Sequence, residues 1–384
     1  MDGIEVLPVR GGRQKRLFLE FPWRVYAGDP LWVPPLLPER SRAIDPHQGV
    51  FFQRGSAEYF IAWRNGKPVG TISAAEDRAL NERTGRKECI FGFFECINEA
   101  GAARALVDTA AGWARMRGLD ALSGPFNLDY EDGYGVLIEG RDRPPVMLCG
   151  HSPPYYKGFM EACGFSPIRG DNIALEIPLD PPSPALERTA VLAERIRRKG
   201  WITVRTPDMR RWMDEADTVH MLLNKALAHL PDFRPYEREA VQALLSPFVS
   251  IADPDLILFA EADGRTIGWF PGIPNVNEIL IHAGGLRRPW NYLGLAAHAR
   301  DRPKCVSIKS VLILPEYWGS GAPLLLFDEM ARRARAKGYL WADLSLTSED
   351  NPFTPGLAAR FGARVYKRYR VYTKPLGGSA CGGD

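Results

Sequence analysis

The alternation of apolar and polar positions splits the chain into two stretches that read alike. In the first, Tyr59-Phe-Ile-Ala-Trp63 and Val69-Gly-Thr-Ile-Ser73 flank Asn65-Gly66. Two β-type runs around Asn-Gly predict a hairpin, because both turn residues accept a positive φ. Residues 90–97 predict another strand. A helix follows, with Leu106, Ala110, Trp113 and Arg117 on one face and Gly118 as its stop. A strand is predicted at 119–126 and a short apolar run lies at 146–148. A helix opens at Tyr155 and Tyr156 and closes at Gly164, and a strand at 173–177 completes the set.

Asp180-Pro-Pro-Ser-Pro184 is the best linker in the chain, and beyond it the pattern restarts. Helices are predicted at 185–199, 214–230 and 237–245, and a strand at 201–204. A second hairpin, 255–260 with 266–270, turns on Asp263-Gly264. Residues 272–303 read as loop and short helix. An apolar strand at 305–314 then runs into a glycine loop and the helix 323–337, which Gly338 ends. A strand at 341–346, a short helix at 357–361 and a closing strand at 364–372 follow. Hairpin, strand, glycine loop, helix, strand, short helix and strand thus occur twice. This is an internal duplication with too long a period for a solenoid. The predicted organisation is one domain over 1–180, a second over 181–376, and a disordered tail over 377–384.

Composition narrows the class. The chain has 384 residues, 45% hydrophobic and 25% charged, as expected of a globular protein of two ordinary domains. Its net charge of +3 balances 49 basic against 46 acidic residues, with no long basic run, which argues against a nucleic-acid partner. The first residues lack an apolar leader, and no apolar run approaches the ~18 residues a bilayer span needs. The cysteines at 89, 96, 149, 163, 305 and 381 form no Cys-x-x-Cys pair. They read as reduced thiols of a cytoplasmic protein, and no metal site is expected. Residues 10–26 mix basic and aromatic side chains. They read as a first helix with Leu17, Phe18, Phe21 and Trp23 in the core, and peripheral contact with lipid head groups at the inner membrane face is the other reading.

The glycine loops carry the chemistry. Glu316-Tyr-Trp-Gly319-Ser-Gly321-Ala322 and Asn98-Glu-Ala-Gly101-Ala-Ala103 both stand where a strand becomes a helix. Free backbone N–H groups at the positive end of a helix suit an anion. Two such loops, each within the same order of elements, resemble the GCN5-related N-acetyltransferase (GNAT) superfamily in tandem, over nearly the whole chain. The superfamily's pyrophosphate loop reads Gln/Arg-x-x-Gly-x-Gly/Ala. Here the small positions match and the first positions depart, with Glu316 and Asn98. Asn351 matches an Asn the superfamily often has after the next strand. The Tyr that many members carry before the late Gly is absent, with Met160 and Ala358 in its two places. More narrowly, Phe93-Phe-Glu-Cys96 and residues 366–372 resemble a bacterial subfamily of acyltransferase-like proteins, some of them assigned as ceramide synthases.

The resemblance implies an α+β fold of two tandem GNAT-like domains, each a mixed, mostly antiparallel central sheet flanked by helices. It implies acyl-CoA as co-substrate. Leu312 and Leu314 would hold it through backbone, together with Trp318, Gly319, Ser320, Gly321, Ala322 and Asn351. The second loop is preferred because glycine lets backbone approach phosphate most closely. On the acceptor side Glu95, His151, Tyr155 and Tyr156 are candidate catalytic residues. Asp129, Tyr130, Glu131, Asp132 and Tyr134 lie in an acidic loop, and Asp343 and Glu349 could serve in the second half. Cys305 is a candidate nucleophile or a small buried hydrophobe. A Ser-His-Asp hydrolase is not supported, since no G-x-S-x-G elbow follows a strand. The expected activity is acyl-CoA-dependent N-acyltransfer to a small-molecule or lipid amine, with a long-chain acyl group onto a sphingoid-type amine as its narrow form. The alternatives are a degenerate tandem chain that binds acyl-CoA or a partner protein without turnover, and an aminoacyl-tRNA-dependent transferase.

Overall fold

The computed structural model describes residues 3–128, 134–229, 235–249, 251–351 and 354–377. The strands before the linker are β1 (Ile4–Pro8), β2 (Gly55–Arg64), β3 (Lys67–Asp77), β4 (Glu88–Cys96), β5 (Ala121–Gly124), β6 (Val136–Glu139), β7 (Ser166–Pro167) and β8 (Asn172–Pro178). Those after it are β9 (Ile202–Arg205), β10 (Ile257–Ala262), β11 (Arg265–Pro274), β12 (Cys305–Ile308), β13 (Leu312–Ile313), β14 (Trp341–Ser348), β15 (Arg364–Arg370) and β16 (Tyr372–Pro375).

Both hairpins form. Arg64 pairs with Lys67 and Ala262 with Arg265, which leaves two-residue loops. Asn65 and Gly66 have φ of 47° and 71°, and Asp263 and Gly264 have 51° and 72°. Two positive φ values in a row are what the right-handed twist of the flanking strands demands, and Asn-Gly and Asp-Gly supply them with little strain.

The chain builds two mixed sheets. The first runs β1-β2-β3-β4-β5-β16-β7, and the second β6-β15-β8-β14-β12-β11-β10-β9 with β13 beside β11. Each is antiparallel except for one central pair, β4 with β5 and β12 with β14. A parallel pair needs a crossover, and a helix supplies it in both halves: Ala100–Arg115 and Ala322–Ala336. The first helix buries Leu106, Val107 and Trp113 against its sheet, and the second buries Leu325, Leu326 and Met330. Before β2, the helix Gly11–Glu20 buries Phe18 and Leu19, with Phe21 buried just beyond it.

Three features were not legible as pattern. The 305–314 run is broken, because Lys309, Ser310 and Val311 separate β12 from β13. The 364–372 run is two strands in different sheets, and the chain crosses between them at the buried Val371. β6 emerges from a glycine-rich segment, whereas 146–148 forms no strand. Asp129, Tyr130, Glu131 and Asp132 lie outside the described residues, as does the tail beyond Gly377.

The two sheets exchange strands across the linker. β6 and β8 come from before it and sit in the second sheet, β8 between β14 and β15. β16, the last strand, sits in the first sheet between β5 and β7, with Tyr372 fully buried there. Neither sheet is complete without residues from the other half of the chain. Tyr372→Ala is therefore expected to cost ~3 kcal/mol, as large-to-small aromatic changes in cores do. Calorimetry should show one transition moved down for the whole chain. An unmoved midpoint, or two separated transitions, would mean that the exchanged strand does not couple the halves.

Candidate active site

Two polar centres stand out, one in each half. The first is built on Glu95, next to last in β4. Tyr156 Oη donates to Glu95 Oε2 at 2.7 Å and accepts the Cys96 N–H at 2.8 Å. Tyr26 Oη lies 3.4 Å from Glu95 Oε1 and donates to the His151 carbonyl at 2.9 Å. Tyr155 Oη donates to the Cys96 carbonyl at 2.9 Å. His151 Nε2 sits 2.8 Å from Asp29 Oδ2. The structure thus gathers Glu95, His151, Tyr155 and Tyr156 and adds Tyr26 and Asp29, which sequence reading did not single out. Desolvation pushes the Glu95 carboxyl up to about 8. Burial, and then the neighbouring Glu95, raise the Tyr26 and Tyr156 hydroxyls well above their ordinary value. Burial lowers His151, against the opposing pull of Asp29. Its Nδ1 is buried without a partner among the described residues.

Around this centre the cleft between β4 and β5 is shut. The two strands pair only from Glu88 to Ile90. Beyond that, the Phe126 N–H donates to the Phe91 carbonyl at 2.8 Å and the Phe93 N–H donates to Asn127 Oδ1 at 2.8 Å. Gly92 presses so closely on the Phe126 carbonyl that no Cβ would fit. The glycine loop itself is exposed at Asn98, Ala100 and Gly101. A Cβ on Gly101 would stand 3.4 Å from Ile4 of β1, and Glu99, at the head of the helix, is paired with Arg64.

In the second half the cleft is open. β12 and β14 pair from Cys305 to Ser307 and then part. Lys309 and Ser310 on one side, and Ser345, Leu346 and Asn351 on the other, bound a cavity of about 810 Å³. The rest of its wall is mainly apolar. Trp212 and Val219 come from the helix Trp212–Ala226, Leu244 and Phe248 from the helix Arg238–Val249, and Phe259 and Trp269 from the sheet.

Behind Lys309 and Ser345 lies Asp343, which has no exposed surface. Tyr366 Oη donates to its Oδ1 at 2.8 Å, and Ser307 Oγ to its Oδ2 at 2.9 Å. Lys309 Nζ donates to Oδ2 at 3.2 Å and to Ser345 Oγ at 3.1 Å. Ser345 Oγ in turn reaches Oδ2 at 2.7 Å. Burial opposes charge on Lys309, but Asp343 more than offsets this, so its pKa is raised and it stays an ammonium. Burial and then Asp343 raise the Tyr366 hydroxyl. Cys305 is fully buried and its thiol is pushed well up, the condition of a small hydrophobe and not of a nucleophile. Glu349 is held by the Asp171 N–H and by Arg368.

The second glycine loop is exposed. Nothing stands within 4 Å of a Cβ placed on Gly319, whereas Gly321, with φ +88°, packs so closely on Ile196 that a Cβ there would stand 2.5 Å from it. Trp318 Nε1 donates to the Ile313 carbonyl, and Ser320 Oγ accepts the Ala322 N–H at 3.1 Å. Pro323 leaves the first turn one donor short. Leu312 pairs with Trp269, and the Leu314 N–H donates to the Ile267 carbonyl at 2.9 Å, so that N–H is engaged in the sheet. Asn351 Oδ1 accepts the Thr354 N–H at 3.1 Å while the residue lines the cavity. Met160 and Ala358 are buried and put no hydroxyl where the superfamily often has one.

Lys309, Ser345, Ser307 and Tyr366 escaped the sequence reading. A signal existed: Lys309 is the single charged residue of the 305–314 run, and a lysine in a buried strand is rare unless paired. Among the described residues, no group of three or more His, Cys, Asp or Glu side chains is placed to hold a metal ion. No described helix is long and apolar enough to cross a membrane.

No protein-family profile matches the chain. It is 29% identical over 385 residues to a Caulobacter vibrioides protein named bacterial ceramide synthase, spanning 97% of this chain and 98% of that one. It is 26% identical over 376 residues to Protein YghO of Escherichia coli, spanning 94% and 93%. Among solved structures it is similar to a tandem GNAT protein from the clavulanic acid biosynthesis pathway. The TM-score there is 0.58 at 14% identity, and the match covers 98% of this chain and 100% of that chain. The chain therefore has the tandem GNAT fold over its whole length, as the paired loops implied. Its two full-length relatives match the narrower resemblance to a subfamily that includes ceramide synthases.

Glu95 gives the site a pH signature. Its folded value of about 8 stands above the 4.5 of an ordinary glutamate. Between those values the unfolded chain has lost the proton and the folded chain keeps it, so this group's contribution makes stability fall as pH rises through the window. Glu95→Gln should flatten that decline, read as denaturation midpoints at a series of pH values. An unchanged slope would show that the carboxyl does not hold its proton in the folded state.

Proposed function

We propose that the protein is an N-acyltransferase that takes an acyl group from a coenzyme A thioester and works in its second half. The observation that carries this reading is the mainly apolar cavity at the parting of β12 and β14, bounded in part by Lys309, which Asp343 holds from behind. Its volume of about 810 Å³ lies high in the ~300–1,000 Å³ range of ligand sites. The loop with two glycines suits the pyrophosphate better than the single-glycine loop of the first half, because glycine lets backbone approach phosphate most closely. Gly319, Ser320, Gly321 and Ala322 would hold it, and Trp318 and Asn351 are the further candidates for contact with the coenzyme. The coenzyme ester supplies the activated acyl group when bound.

The chain's own residues supply the rest. Lys309 has three N–H donors, of which two are engaged by Asp343 and Ser345, leaving one for an oxygen that gains negative charge in the cavity. Asp343 keeps it charged and holds it in place. The apolar walls exclude water and suit a long chain. The Caulobacter relative's name supports the same substrate class, a long acyl group joined to a lipid amine. The Glu95 centre adjoins this wall along the chain, since Cys149 lines the cavity and His151 belongs to the centre. Glu95, Tyr156, Tyr155 and His151 are its candidate proton-handling groups on the acceptor side.

One observation favours binding without turnover, namely the buried Met160 and Ala358 where superfamily members often have a tyrosine. Mass spectrometry of products from a mixture of acyl-CoAs and amines separates the two. N-acylated long-chain product is expected from the wild type. Gly321→Asp should abolish it, because at φ +88° and against Ile196 a side chain there would displace the loop that receives the pyrophosphate and add a negative charge to it. Lys309→Met should lower kcat about 100-fold, as loss of one oxyanion donor does. Stabilisation by long-chain acyl-CoA without any product would leave a binding protein. Full activity in Gly321→Asp would move the coenzyme to the first half.

A further inference from the structure

We infer that residues 284–304 form a surface that docks on an anionic lipid bilayer. The short helix Asn291–His298 (Asn-Tyr-Leu-Gly-Leu-Ala-Ala-His) buries none of its residues. Leu293 is 73% exposed, Trp290 59% and Tyr292 54%. A surface helix ordinarily turns such side chains to the core, but this one displays them together.

The charge around it is mostly positive. Residues 284–304 hold five basic side chains (Arg287, Arg288, Arg300, Arg302 and Lys304) against Asp301 alone, a net charge of +4. The whole chain carries +3, so everything else sums to −1. Arg288, Arg300, Arg302 and Lys304 are exposed, and none is paired with a carboxylate among the described residues.

The patch is held firmly. Ala283 and Gly285 are buried, and Gly285 packs against Trp23 of the first half. The Arg287 guanidinium lies 5.4 Å from the Trp23 ring centre. Asn291 Oδ1 accepts the Arg288 N–H at 2.9 Å, and the His282 and His298 rings stack at 3.9 Å. A groove lined by Leu286 and Arg287 runs on to the helix Gly11–Glu20, where Lys15 and Arg16 are paired with Asp45 and Glu20. Aromatic and aliphatic side chains flanked by unpaired arginines suit the boundary between head groups and acyl chains, with the arginines on lipid phosphates.

Co-sedimentation with vesicles tests this directly. One set is phosphatidylcholine alone, and the other is three parts phosphatidylcholine to one part phosphatidylglycerol. The wild type is expected to bind the mixed vesicles at least about tenfold more tightly, and less so as salt is raised. Leu293→Asp, and Arg288→Glu with Arg300→Glu, should each cut that binding about tenfold or more with the unfolding midpoint unchanged, since all three residues are exposed. Equal binding to both vesicle types, no binding, or undiminished binding by the variants would overturn the inference. So would a dimer of the wild type, without lipid, that these variants break, which would make the patch a protein interface.

Discussion

Asp343 has no exposed surface, so its charge must be satisfied from inside the protein. Leaving such a group without its partner typically costs ~3–5 kcal/mol. Ser307 from β12, Ser345 from β14, Tyr366 from β15 and Lys309 just beyond β12 meet that demand together. The last paired residues of β12 and β14 are Ser307 and Asp343, so the polar knot sits at the fork where the strands part. Lys309 is thereby fixed at the fork, and the residues beyond it border a cavity. In the first half the last paired residues are Ile90 and Ser123, and the Ser123 hydroxyl donates across to Thr373. Among the described residues no buried charge holds that fork, and Phe126 and Asn127 lace it shut. One duplicated design has thus become one open cleft and one closed one.

The closed half still contributes. Its β8 lies in the middle of the second sheet, and the segment 149–151 joins the two polar centres. Cys149 Sγ is 3.3 Å from Ser345 Oγ, Tyr369 Oη donates to the Gly150 carbonyl, and the His151 carbonyl accepts from Tyr26. A change in packing at Tyr26 or Glu95 therefore has a short covalent route to the cavity wall. The exchange of β16 ties the ends of the chain in the same way, so the two halves form one packed body.

Much of the fold was legible because it rests on local chemistry. Asn65-Gly66 and Asp263-Gly264 fixed both hairpins, Gly118 and Gly338 fixed helix ends, and two glycine loops marked both crossovers. What stayed hidden depends on partners distant in the chain. The pattern at 173–177 shows a strand but not that its neighbours are β14 and β15, since alternation sets a face and leaves the partner open. Residues 364–372 read as continuous because Arg370, Val371 and Tyr372 are all good strand formers, and only the packing of two sheets shows the crossing. The site divided in the same way. Glu95, His151, Tyr155 and Tyr156 were flagged by type and do converge. Lys309 and Asp343 acquire meaning only when β12 and β14 lie side by side.

The claim that the open cleft of the second half receives the acyl chain is tested most directly by photolabelling. A long-chain acyl-CoA with a photoreactive group at the chain end would be irradiated with the protein and the labelled peptides mapped by mass spectrometry. The account predicts label on the cavity wall, in the helix Trp212–Ala226 or Arg238–Val249, that excess unlabelled acyl-CoA displaces. Displaceable label confined to residues 88–126, or no displaceable label at all, would contradict it.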